Sequence, residues 1–198
     1  GIALCFWLTG LGPALGALLA YKALWAAPAG GHRRKAPAGS FSRQVLKNRP
    51  AMYLIAGYSL HNYELLGMWA WTPAFLAACL AVGGAGEGQA VSLGSSLAGV
   101  FHLLGLLASL TVGALSDRLG RGRVLTITAA ASALCSLSFG FTLGLSLWLV
   151  MLLGMVYAFV SLGDSPVLSA GLSEAVDPVC LGGALGLRSL VGFGAGAL

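Results

Sequence analysis

The side chains best placed to do chemistry in this sequence are ionisable groups set inside long apolar runs. Glu64 lies more than a dozen residues from either end of the run 51–82, too far in for its short stem to carry the carboxylate to water. A group of this kind is costly in lipid and faces protein or a water-filled cavity. A carboxyl removed from water also holds its proton more tightly, so Glu64 is the candidate for reversible proton binding. Tyr58, His61, Glu64, Met68 and Trp71 recur at helical spacing and are expected on one broad face. There His61 would share the proton, contact substrate or tie helices together as a structural partner of Glu64, while Trp71 would give a flat cavity wall. His102 sits midway along another apolar run, as a ligand or as an interhelical hydrogen-bonding residue. Arg188 lies deep in the last run and needs a partner or an aqueous cavity. Together Arg188 and His61 suggest an anionic small molecule, such as a carboxylate, as substrate.

The elements that must hold these residues are apolar helices. The chain is 58% hydrophobic and 9% charged, with a mean hydropathy of +0.88, against about 25% charged residues in a soluble domain. A crossing takes about 20 residues, and six spans are expected: 2–27, 51–82, 92–115, 124–143, 145–168 and one from 179 onward. The fold class is therefore an all-α membrane protein. Pro73 is expected to kink or tilt the second span. Gly94, Ala98, His102, Gly105, Ser109 and Gly113 recur every three or four residues in the third, a spacing that permits close helix contact. The fourth span is uncharged and rich in small hydroxyl residues, as in a packing helix. Cys5, Cys79, Cys135 and Cys180 are scattered singly, so neither a disulfide framework nor a metal site is expected, and no cofactor is implied. The net charge of +5 comes from basic residues gathered in two loops, which argues against nucleic acid as a partner.

One of those loops carries a motif. Gly113-Ala114-Leu115-Ser116-Asp117-Arg118-Leu119-Gly120-Arg121-Gly122-Arg123 joins the third span to the fourth. Gly120 and Gly122 offer the backbone freedom for a tight reversal. Asp117 lies at the negative end of a helix dipole, which disfavours an acid; it needs Arg118, Arg121 or the N-terminus of another helix beside it. The stretch resembles the Gly-x-Leu-(Ser/Ala)-Asp-Arg-x-Gly-Arg-(Lys/Arg) loop of major facilitator superfamily transporters. It departs at Gly122, where a basic residue is usual, and Arg123 supplies that charge one place later. The resemblance implies a partial twelve-helix bundle of the family's type, with this loop between its eighth and ninth helices. By that frame residues 1–27 are the last helix of the N-terminal half, 28–50 the cytoplasmic central linker and 51–198 a truncated C-terminal bundle. The chain starts without Met inside one apolar run and stops inside another, so a fragment is expected, with the missing N-terminal half as its partner. The resemblance further implies a secondary active transporter working by alternating access, as a proton-coupled symporter or antiporter or an exchanger.

Lys and Arg number six in the first loop and three in the 116–123 loop, with none in the loops between. By the positive-inside rule, residues 28–50 and 116–123 are cytoplasmic and the protein is a multi-pass component of the cytoplasmic (inner) membrane. Asp164, Glu174 and Asp177 are expected to face the loop arginines, forming a cytoplasmic latch with Gly113, Asp117, Arg118, Gly120, Arg121 and Arg123. The competing readings are a self-contained six-helix protein (a homodimeric transporter or an assembly factor), a channel, and an intramembrane enzyme. Ser161-Leu162-Gly163-Asp164 lacks the first glycine of the intramembrane aspartyl protease pattern. Gly94-x-Ser96-x-Ala98 lacks the last glycine of a hydrolase elbow. No enzymatic activity is expected.

Overall fold

Helix punctuation in the sequence sets the architecture. Asn48 accepts a hydrogen bond from the Ala51 amide, with Pro50 in the first turn, and starts α1 (Arg49–Val82). Gly84, at φ +93°, turns the chain into α2 (Glu87–Leu119). Gly120, at φ +88°, breaks it before α3 (Arg121–Phe139); only glycine takes that conformation without strain. A short 3-10 turn, Gly140–Thr142, leads to α4 (Leu147–Ala175). Asp177 caps α5 (Pro178–Gly196) by accepting from the Val179 amide, again with proline in the first turn. The computed structural model describes residues 13, 15–22 and 41–197. The chain divides into units Gly1–Lys35 and Ala36–Leu198. Residues 13 and 15–22 of the first unit are helical; the rest of the expected span 2–27, with Cys5, lies outside the described residues, as does 28–40 of the expected linker.

All five helices are long and apolar enough to cross a membrane, and short connections make neighbours antiparallel. The protein is an integral, multi-pass, all-α membrane protein. α4 is the hub, packed against α1, α2 and α3, while α1 also carries α2 and α5. Large apolar side chains stay on the outside, Trp148 and Phe141 each 86% exposed near one end of the bundle, as expected of lipid-facing surface with an interfacial aromatic belt.

Three boundaries differ from the sequence reading. α2 starts at Glu87, inside the expected loop 83–91. α4 runs on through Pro166 to Ala175, so the acidic segment expected as a connection is mostly its last turns. The end of the basic segment also folds: Ser42–Leu46 is a helical turn whose Val45 is fully buried with Ala51, Ile55, Leu172 and Cys180. The small-residue stripe of α2 is displaced too. Its buried positions are Gly94, Ala98, Phe101, Gly105, Ala108 and Val112, because large knobs fill glycine hollows across α2 and α4: Phe101 on Gly154, Leu162 on Gly105, Val112 on Gly163. His102 is left on an exposed side of α2.

Candidate functional site

The long α1 brings three sets of polar groups into the bundle. The first surrounds Glu64. Ser132 of α3 donates to its Oε1 at 2.6 Å, and Tyr157 of α4 stands on the same cleft wall as Glu64 and Ser136. The carboxylate stands on the wall of an open cleft of 710 Å3, shared with Tyr63, Trp71, Thr72, Ser136 and Tyr157. That volume is within the range of about 300–1,000 Å3 usual for small-molecule sites. Trp71 is 74% exposed, a broad aromatic surface at the cleft. The hydroxyl residues of α3, read from the sequence as packing, therefore supply the immediate partner of the buried-span acid. Thr128, Ser132 and Ser136 at four-residue intervals were the signal for that face.

The second set lies one turn earlier on α1 and faces away from the cleft. His61 pairs with Asp164 of α4, Nδ1 to Oδ1 2.8 Å, with side chains only 2% and 12% exposed. The separation suits a hydrogen bond, but the ring does not aim its N–H along it, and neither atom has a well-directed partner; Nε2 has none either. His61 thus pairs with Asp164 and not with Glu64, and Asp164 is not in the latch. The extension of α4 explains this: Asp164 lies about eleven residues from Ala175, about 16 Å of rise, near the depth of His61 from the start of α1.

The third set is on α5. Arg188 lays its guanidinium over the Tyr58 ring, Cζ 4.0 Å from the centroid, and donates from Nη1 to Ser169 Oγ at 2.6 Å. It is turned inward, among α1 and α4, without lining the cleft. His102 lies apart from all three, edge-on to Trp69 with centroids 5.4 Å apart.

At the basic end the signature loop is tied to α4. Arg121 donates from Nε to Glu174 Oε2 at 2.8 Å and from Nη2 to Oε1 at 2.5 Å, a two-pronged pair. Its Nη2 also lies 3.0 Å from Asp117 Oδ1, and Nη1 donates to Ser116 Oγ at 3.0 Å. Asp117, disfavoured by its own helix end, is thereby compensated by Arg121. Arg118 and Arg123 are exposed. Gly113 crosses close to Pro166, where an added Cβ would sit 3.9 Å away, and Asp177 is occupied as the α5 cap.

Comparison with known proteins agrees with the signature. The family model described as Major Facilitator Superfamily matches residues 1–198. No protein of curated function and no solved structure matches the chain significantly.

Proposed function

The chain belongs to the major facilitator superfamily, and from that premise we propose that it moves a small molecule by secondary active, alternating-access transport, coupled to protons or to exchange. Membership makes it a membrane protein of a transporter family. The observation that carries the finer reading is Glu64: an ionisable group in mid-span, on the wall of a cleft of substrate size, held by a hydroxyl and not by a fixed cation. A carboxylate so placed can take and release a proton without first breaking an ion pair. Trp71 and Tyr157 offer flat faces to the body of a substrate. The facing wall of the open cleft is supplied, in this reading, by the other half of the transporter.

Glu64→Gln in proteoliposomes should abolish accumulation driven by an acid-outside gradient while leaving gradient-independent exchange measurable. Uptake of a panel of labelled small organic acids reads both. Gradient-driven accumulation and exchange both at the unmodified level would end the coupling assignment.

The Arg121–Glu174–Asp117 cluster is read as the latch that holds the inner ends of α2, α3 and α4 together in one access state. Six Lys and Arg residues, Arg43, Lys47, Arg49, Arg118, Arg121 and Arg123, gather at this end of the described bundle, which is the cytoplasmic one by the positive-inside rule. The inner membrane of a cell is the proposed location. Arg121→Glu and Glu174→Arg should each slow transport severalfold. The double exchange should recover part of the loss, and only part, because Asp117 would then face a glutamate. Recovery absent from the double variant, with all proteins equally abundant in the membrane, would remove the latch role.

A further inference from the structure

We propose that Arg188 and Asn62 form a subsite, between α1 and α5 and behind the cleft wall, for the carboxylate of a small organic anion. The proposal rests on the transport reading above and names its substrate class. Arg188 lies about ten residues into α5, about 15 Å from its cytoplasmic end and so near mid-membrane. A guanidinium at that depth needs a countercharge. Its recorded partners are a hydroxyl, Ser169, and the face of Tyr58, neither of which carries one. Among the described residues the ion pairs are His61–Asp164, Arg121–Asp117 and Arg121–Glu174, so none joins an acid to Arg188; of the two acids deep in the bundle, Asp164 is engaged by His61 and Glu64 by Ser132.

A second buried donor beside it is also unfilled. Asn62 is 3% exposed, and its Nδ2 has no acceptor; the Nε of Arg188 has none either. Both belong to one patch. A Cβ added to Gly192, one turn along α5 from Arg188, would lie 2.8 Å from the Tyr58 ring and 3.0 Å from Asn62 Nδ2. A cation and an amide donor, both without acceptors, call for an anionic acceptor. A guanidinium with a free N–H fits the planar, two-oxygen geometry of a carboxylate. A single positive charge matches one carboxylate and falls short of a phosphate dianion. The patch also touches the cleft: Gly196, on the cleft wall, packs against the backbone of Asn62, so a substrate bound beside Trp71 and Tyr157 would present its acid toward α5.

The test is the melting temperature of the purified protein in detergent with benzoate, benzamide or sodium chloride added. It needs no gradient, so its failure is separate from failure of proton coupling at Glu64. Benzoate should give a saturable rise of about 2–4 °C, benzamide and chloride none. R188Q should lose the rise and R188K keep a fraction of it. S169A, which frees Nη1 and keeps the charge, should retain it in full and covers the case in which R188Q does not fold. No rise with benzoate would overturn the subsite. An equal rise with chloride would overturn the carboxylate assignment, and a rise that survives in R188Q would overturn the role of Arg188.

Discussion

Asp164→Ala is expected to destabilise the bundle by about 1–3 kcal/mol, the cost of leaving a buried polar group without its partner. The substitution leaves the imidazole of His61, 2% exposed, inside the α1–α4 contact with no acceptor in reach. Cavity formation is a minor part of this, since the side chain is small. The separating experiment is a double-mutant cycle with His61→Leu and Asp164→Leu, followed by reversible unfolding in mixed micelles. Each single leucine strands a polar or charged partner. The double removes both and should recover more than half of the summed loss. Additive losses, or an Asp164→Ala cost below about 1 kcal/mol (the range of exposed pairs), would mean that the two groups are independently hydrated and that the 2.8 Å approach contributes little.

That pair also shows where sequence reading stops. Hydropathy located the five described spans, and the signature loop led to the family, because both depend on short-range chemistry that composition and fixed spacing record. Glu64 and Trp71 were legible for the same reason: an acid in mid-span must face something other than lipid, and both stand at the cleft. The partner of each buried group was not legible. Ser132 is an ordinary residue for a small-hydroxyl helix until α3 crosses α1 beside Glu64. Asp164 was assigned to the cytoplasmic latch because it lies near the end of a span expected to stop at residue 168; the helix instead continues to Ala175, and seven further residues shift the acid about 10 Å toward mid-membrane. Pro166 is tolerated there because neighbouring helices can re-satisfy or shield the freed carbonyl. Glu174 lies against Arg121, since both stand near chain reversals at one end of the bundle.

The face of α1 tells the same story in finer detail. Spacing alone grouped Tyr58, His61, Glu64, Met68 and Trp71, yet between 58 and 72 the residues buried in the bundle are Tyr58, Ser59, His61, Asn62, Leu65, Met68 and Thr72. The two sets share a stripe, but Glu64 and Trp71 stand on its edge, where it opens into the cleft. A helix that meets α2, α4 and α5 presents several interfaces, and periodicity cannot say which neighbour each one meets. What decides it is the closeness of individual crossings, and α1 meets α2 backbone to backbone at a glycine, Gly94.

Gly94→Val should therefore unfold or splay the α1–α2 pair, with a loss at the upper end of, or beyond, the usual 1–3 kcal/mol for overpacking. A Cβ at residue 94 would lie 2.7 Å from the Ala77 nitrogen, 2.9 Å from the Pro73 carbonyl oxygen and 3.0 Å from the Ala77 Cα. These are backbone atoms of one helical turn of α1, which cannot swing aside as a side chain does, so the helices must separate along the whole contact. Gly94→Ala already places the Cβ there and should cost a smaller but measurable part. Gly99→Ala on the same helix is the control: nothing lies within 4 Å of its Cβ position, so it should be neutral or slightly stabilising through helix propensity. The comparison is made on melting temperature and on the fraction of protein inserted in the membrane. Because α1 also carries Glu64, a splayed pair should lose transport in proportion to fold, unlike Glu64→Gln, which leaves the fold intact. If Gly94→Val melts with Gly99→Ala and the unmodified protein, the helices are not in backbone contact at Gly94, and the position of the cleft wall built on α1 would have to be revised with it.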